Sequence, residues 1–299
     1  MGFENIGEFA QADDAGQCWV TGFRKQVASA TTPTMGFIDY LYYPGTPTAN
    51  FYASAPLVSA VVEANKGIYV PSVAPATQHL KGLTVMTSAA SATSTTNQRQ
   101  RLIVADYLVY YPFIDTDAVG EEQLMENTIT LPRYTSGKVV AVSQSAAGTV
   151  GQFTMTYTNQ DGVAGRVCQN TFTLSSLTGG GQIAATGASG NGFHPFIELQ
   201  GGDREVASIQ SVTFTQPGGG LMALVIVKPL FTHIATQECR RTTTGNLESY
   251  GAANRFDAVI HQAGAPQIKD GAVLGILGQG YAGSLASSTL VGLLETHWS

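Results

Sequence analysis

Hydrophobic and polar positions alternate in short runs along most of this chain. In Gln152-Phe153-Thr154-Met155-Thr156-Tyr157-Thr158, Phe, Met and Tyr share one side and polar residues the other. This period-two pattern, rich in β-formers, predicts a half-buried strand. Ala207–Thr215 repeats it, and Leu221–Val227 is continuously apolar, as a central strand covered on both faces would be. The same reading predicts strands at Cys18–Ala28, Met35–Tyr43, Pro56–Glu63, Leu80–Thr87, Arg101–Tyr111, Lys138–Ser143, Gly165–Leu174, Phe193–Leu199, Val206–Thr215, Phe256–His261, Val273–Leu277 and Leu290–His297. Turn chemistry separates them: Asn159-Gln160-Asp161-Gly162 reads as a hairpin turn, as do Gly201-Gly202-Asp203 and Pro217–Gly220. Only Val119–Asn127, with Glu121, Glu122 and Glu126, reads as helix. Ser88–Asn97 and Thr178–Gly192 read as exposed loops.

Many short strands with Gly/Pro turns imply an all-β protein, here two β-sandwich, jelly-roll-like units with minimal helix. The expected division is 1–137 and 138–299; in the alternative, a sandwich over 138–236 is inserted into a domain built from both termini.

Composition narrows the function classes. Charged residues are 12% of the 299, about half the usual ~25%. A net charge of −6 without a basic run argues against direct nucleic-acid binding, which needs clustered Lys and Arg. Low charge leaves two readings: a neutral, extracellular-type surface, or a surface covered by neighbours in an assembly. The N-terminus has no basic or apolar run of a signal peptide, no Asn-x-Ser/Thr sequon occurs, and Cys18, Cys168 and Cys239 are an odd, unclustered set. The expectation is synthesis in a reducing cytoplasm. Residues 271–294 are uncharged but broken by glycine and Ser/Thr, so they read as two buried strands and a loop rather than a membrane span.

Motifs for chemistry are sparse. Gly278-Gln279-Gly280-Tyr281-Ala282-Gly283 fits the dinucleotide fingerprint, but no βαβ unit surrounds it, so a loop is expected. Gln17-Cys18-Trp19 is similar to the Cys-Trp of papain-like proteases without their flanking pattern, and a buried Cys beside a core Trp is expected. His79, His194, His233, His261 and His297 are scattered and show no zinc spacing. Asp115-Thr116-Asp117 with Glu121 and Glu122 is the densest acidic cluster and reads as a solvated turn before a helix, with Ca²⁺ as the sharper rival. No catalytic residue, cofactor or metal is therefore expected. The segments Asp39-Tyr40-Leu41-Tyr42-Tyr43-Pro44 and Asp106–Pro112 echo each other. Their residues Tyr40, Tyr42, Tyr43, Tyr107, Tyr110 and Tyr111, with Phe113, form the candidate interface, since Tyr offers apolar area with a polar tip. Strand alternation puts Tyr110 and Tyr111 on opposite faces, one toward core and one outward. A glycan-stacking platform is the alternative use of these rings.

The segments Asp106–Asp115, Asn127–Thr135, Tyr157–Arg166, Ser208–Phe214, Val227–Leu230, Leu290–Gly292 and Trp298-Ser299, taken as a set, resemble a group of β-rich structural proteins of tailed bacteriophages. The resemblance implies a non-enzymatic virion component, foremost a capsid decoration or cement protein. It would assemble in the host bacterial cytoplasm, in many copies or as a homo-oligomer, on the major capsid protein or other virion proteins, with no direct nucleic-acid or membrane contact. A tail, collar or fibre module binding a host receptor or glycan is the alternative.

Overall fold

A computed structural model describes residues 3, 6–27, 36–88, 100–146, 151–168, 179–184, 195–235, 238–241, 247–250, 254–257, 265–280, 285 and 288–299. After a helix, α1 (Ile6–Asp14), the strands run β1 (Cys18–Gln26), β2 (Phe37–Asp39), β3 (Gly45–Thr46), β4 (Ala60–Val61), β5 (Gln78–Ser88), β6 (Gln100–Asp115), β7 (Glu122–Leu124), β8 (Lys138–Ser143), β9 (Gln152–Asn159) and β10 (Arg166–Val167). They continue with β11 (Gln182–Ile183), β12 (Val206–Gln216), β13 (Leu221–Ala235), β14 (Glu238–Arg241), β15 (Leu247–Tyr250), β16 (Asn254–Asp257), β17 (Gln267–Ile268), β18 (Leu274–Gly280) and β19 (Thr289–Trp298). The fold is all-β with little helix, as the alternation implies.

Apart from a separate two-stranded ladder of β14 and β15, the strands make three layers. The middle layer is a closed ring in the order β13-β8-β11-β2-β18-β6, shut by pairing of β6 with β13, with β4 attached to β6. An outer sheet ordered β10-β9-β12-β7 lies on one side, and a terminal sheet ordered β16-β5-β19-β1-β3, with β17 on β5, lies on the other. The terminal sheet draws only on residues before 89 and after 253, the outer sheet only on residues 122–216, and the ring on both sides of residue 138.

Each layer boundary is a core. Inside the ring lie Phe37, Leu41, Tyr52, Ile103, Tyr107, Val140, Val142, Val225 and Leu277. Between ring and outer sheet, Tyr111, Val139, Leu224 and Ile226 meet Phe153, Met155, Tyr157, Val212 and Phe214. Between ring and terminal sheet, Tyr40, Leu102, Val104 and Phe231 meet Phe23, Leu83, Val85, Leu290 and Leu294. The strands β6 and β13 are long because each serves both outer cores. Bulges adapt them: the register skips Leu108 between Ile226↔Val109 and Val227↔Tyr107. Odd residues 103, 105 and 107 therefore face the ring interior, and after the bulge it is Tyr110 that does.

Several sequence expectations are corrected. Val119–Asn127 is not a helix: Glu122–Leu124 pairs with β12 as an edge strand, and Gly120 before it takes φ 76°. The helix instead lies at Ile6–Asp14. The predicted strand Met35–Tyr43 ends at Asp39, whose side chain caps a 3₁₀ turn over Tyr40–Tyr42 through the Leu41 N–H at 3.0 Å. Strand β6 does not stop at Pro112 but bulges there, with Phe113 at φ 55°, and continues to Asp115. Within Thr178–Gly192, Gln182 and Ile183 form a buried ring strand. Gly278, Gln279 and Gly280 belong to β18, not to a loop; residues 281–283 lie outside the described set, as do 89–97, 169–174, His194 and His261. Of Pro56–Glu63 only Ala60–Val61 pairs, and the described part of Phe193–Leu199 is not strand.

The predicted Asn159–Gly162 hairpin turn is present, with Gly162 at φ 78° and Asn159 Oδ1 accepting from the Asp161 and Val163 N–H groups. Asp203 clips this turn by accepting from Arg166 Nε at 2.8 Å, Tyr157 Oη at 2.7 Å and Asn159 Nδ2 at 2.8 Å. These donors, Arg166 foremost, pull its carboxyl down to about 2. A depressed folded pKa contributes stability above the unfolded value, and that contribution is lost as pH falls from about 4 toward 2. Asp203→Asn should flatten that acid limb in urea unfolding measured across this pH range; an unchanged limb would contradict the clip.

Close packing can be tested at Gly278, where a Cβ would sit 2.5 Å from Tyr40 Cε2. The Tyr40 ring cannot easily yield, because its hydroxyl donates to Gln100 Oε1 at 2.7 Å inside the core. Gly278→Ala should cost about 1–3 kcal/mol of unfolding free energy by overpacking; wild-type stability would contradict this geometry.

Candidate functional site

The seven aromatic candidates do not form an outer patch. Tyr40, Tyr43, Tyr107, Tyr110 and Tyr111 are buried, and Tyr42 and Phe113 are partly buried. Tyr110 and Tyr111 do point to opposite faces, Tyr110 into the ring and Tyr111 toward the outer sheet. Neither face is outward, because the ring is covered on both sides. Tyr42 donates to the Gln144 carbonyl at 3.0 Å and meets the edge of Phe51, 5.1 Å away. The Tyr111 hydroxyl accepts from the Ile209 N–H at 3.2 Å, and the Phe113 N–H donates to Gln144 Oε1 at 2.6 Å.

Two buried carboxylates lie among these rings and their neighbours. Asp39, fully buried, accepts from the Tyr107 hydroxyl at 2.8 Å and from the Tyr52 hydroxyl. Burial raises its carboxyl, against the pull of these donors. Asp106, also fully buried, takes a bidentate pair from Arg133, Nε to Oδ2 at 2.9 Å and Nη2 to Oδ1 at 2.8 Å, and accepts from the Val273 N–H at 2.9 Å. Lys25, buried, donates to the carbonyls of Tyr43 and Pro47 at 3.1 and 2.7 Å, and desolvation lowers it to about 8. This is a structural network: every charge is aimed at protein atoms that tie a strand end or a loop in place. Three acids of the Asp115–Glu122 cluster are likewise occupied, with Asp115 Oδ1 accepting from the Asp117 N–H, Asp117 from the Gly219 N–H and Glu122 from the Ser211 hydroxyl.

The surface that stands out is the outer face of the terminal sheet. Antiparallel register sets it in rows: Val20–Glu295–Gly82, Gly22–Leu293–Thr84–Arg255 and Arg24–Val291–Met86. Residues directly opposite in a ladder share a face. Val20, Met86, Val291 and Leu293 are 53, 47, 41 and 46% exposed. Arg24 flanks this apolar centre on one side, and on the other Arg255 grips Glu295 through two contacts of 2.9 and 2.8 Å. The opposite face of the same strands, with Phe23, Leu83, Val85, Leu290 and Leu294, is core. The sequence shows the signal in Leu290-Val291-Gly292-Leu293-Leu294, which is apolar on both faces although only one packs inward.

At the far end of this face α1 lies over the sheet: Asp13 contacts Lys81 and His297, and the Phe9 ring lies 5.6 Å from that of His297. Here Cys18, expected to be buried beside a core Trp, is exposed, and Trp19 is exposed with it. The strand starts at Cys18, so both residues sit at the sheet margin, Trp19 against the edge of Tyr69 at 6.2 Å. Asp13, Cys18 and His297 are brought together although no sequence spacing links them.

No protein-family model matches the chain, and no curated protein does. Among solved structures, a structure of infectious bursal disease virus strain Gx aligns at 8% identity over 94% of this chain and 80% of that one, with a TM-score of 0.20. The VP2 subviral particle of the same virus aligns at 10% identity over 94% and 81%, with a TM-score of 0.18. Similarity at this level carries no argument about function. No helix among the described residues is long and apolar enough to cross a membrane.

The buried network yields a test. Tyr107→Phe removes one of the two hydroxyl donors of Asp39 without changing the ring's volume. An unfolding free energy lower by about 1–3 kcal/mol is expected, the cost of a buried polar group left short of a partner. No loss in denaturant unfolding would show that Asp39 does not depend on Tyr107.

Proposed function

We propose that this chain is a non-enzymatic, multi-copy structural component of a tailed-phage virion, a decoration or cement protein that docks on the major capsid protein through the outer face of the terminal sheet. The observation that carries the reading is the bare apolar centre of Val20, Met86, Val291 and Leu293 with a charged margin of Arg24, Arg255 and Glu295. An apolar centre with a polar rim is the anatomy of a protein interface. Apolar area removed from water contributes roughly 25 cal/mol per Å². A protein that binds only the assembled shell adds its binding free energy to shell stability. Low charge at the centre keeps desolvation cheap. The phage resemblance supplies the partner class. The receptor- or glycan-binding alternative relied on an exposed tyrosine platform, and that support is gone with the rings inside.

The test is a double substitution, Val291→Lys with Leu293→Lys. Both side chains point to solvent, so unfolding free energy should change by no more than about 0.5 kcal/mol per site. The wild-type chain should co-sediment with phage heads in many copies and the variant should not. Absence of the wild-type chain from particles, or equal sedimentation of the variant, would sink the reading.

A further inference from the structure

We propose that Asp13, Cys18 and His297 form a site for one Zn²⁺-class ion that pins α1 to the terminal sheet. Three elements converge on it. The helix ends at Asp14, β1 begins at Cys18, and His297 of β19 stands directly opposite Cys18 in the ladder. A carboxylate oxygen, the thiol sulfur and an imidazole nitrogen lie within 4.8 Å of one another. A tetrahedral zinc ion with bonds of about 2.0–2.3 Å holds its donors roughly 3.5 Å apart. Asp13 Oδ1 and His297 Nε2, 2.8 Å apart, would part by about half an ångström and Cys18 Sγ, within 4.8 Å of both, would adjust to complete it. Sulfur and nitrogen donors select zinc over Ca²⁺ or Mg²⁺, which take oxygen.

Independent observations point to a missing ligand. His297 is 1% exposed, yet its Nδ1 has no hydrogen-bond partner among the described residues. Its Nε2 lies 2.8 Å from Asp13 Oδ1, so imidazole and carboxylate already stand face to face as a close pair. His79 stands opposite His297 on β5. Its Nδ1 lies 3.2 Å from the Ala265 carbonyl, which only an N–H can satisfy, so the lone pair is on Nε2. That Nε2 is buried without a partner among the described residues. Fixing one imidazole nitrogen on a carbonyl to present the other is how ligating histidines are oriented. His79 lies in the same row but outside the group of three, so a fourth position would be left to water. Lys81 holds Asp13 by Oδ2 at 2.6 Å and leaves Oδ1 facing His297. The site lies at the helix-covered end of the face, so it does not depend on what docks on the rest.

The experiment titrates the reduced full-length chain with Zn²⁺ and with Co²⁺. One equivalent should bind, Co²⁺ should give a thiolate charge-transfer band, and Zn²⁺ should slow alkylation of Cys18 by iodoacetamide, read by peptide mass spectrometry. Cys18→Ser and Asp13→Asn, both at exposed positions, should each weaken Zn²⁺ binding at least ~10-fold and Cys18→Ser, which removes no contact to α1 among the described residues, should abolish the band. No stoichiometric binding, wild-type affinity in Cys18→Ser, or alkylation indifferent to Zn²⁺ would overturn the proposal.

Discussion

The pairing of β6 with β13 is the contact on which the other layers depend. It runs from Leu221↔Asp115 to Ala235↔Gln100 and closes the ring. Without it β6 and β13 would face each other as unpaired edges, and the ring interior would open. The same two strands carry both outer cores, with Leu102, Val104 and Phe231 at one end and Tyr111, Leu224 and Ile226 at the other. A strand has only two faces, so serving three cores requires a change of phase along its length. The bulge at Leu108 supplies it on β6.

Closing a ring inside two further sheets leaves the ends of short strands away from water. The buried carboxylates answer that need. Asp39 ends β2 and caps the next turn while accepting from two tyrosines, and Asp106 fastens the 133 loop and the start of β18 to β6. Such groups are costly to bury, and removing one partner leaves the full penalty on the other. Their value lies in register: only one alignment of β2, β6 and β18 lets every one of these bonds form.

The half-buried strands were legible in the sequence because one face meets water. β9 and β12, with Phe153, Met155 and Tyr157 alternating with threonine, match their predicted spans closely. The ring was harder. Strands covered on both faces lose their alternation, and β2, β4 and β11 are two or three residues long, defined by partners remote in the chain. The tyrosines were misplaced for the same reason: alternation told which face each took, and nothing local told that both faces were inside. The outer face of the terminal sheet had a readable trace in the doubly apolar Leu290–Leu294. The meeting of Asp13, Cys18 and His297 had none, since a ladder between the two ends of the chain creates it.

Low charge also takes a different meaning from the layering. Strands β6, β8, β13 and β18 bury most residues on both faces, so they offer few positions where a charge could be solvated. A chain of 299 residues with three cores therefore reaches 12% charge through its own packing, and composition alone does not require a covering neighbour. Val20, Met86, Val291 and Leu293 are different, because their face of the sheet meets water and has room for charge, as Arg24, Glu295 and Arg255 around them demonstrate. Apolar side chains there are not demanded by the fold. The case for an assembly surface accordingly rests on four side chains on one sheet, and not on the composition of the whole chain.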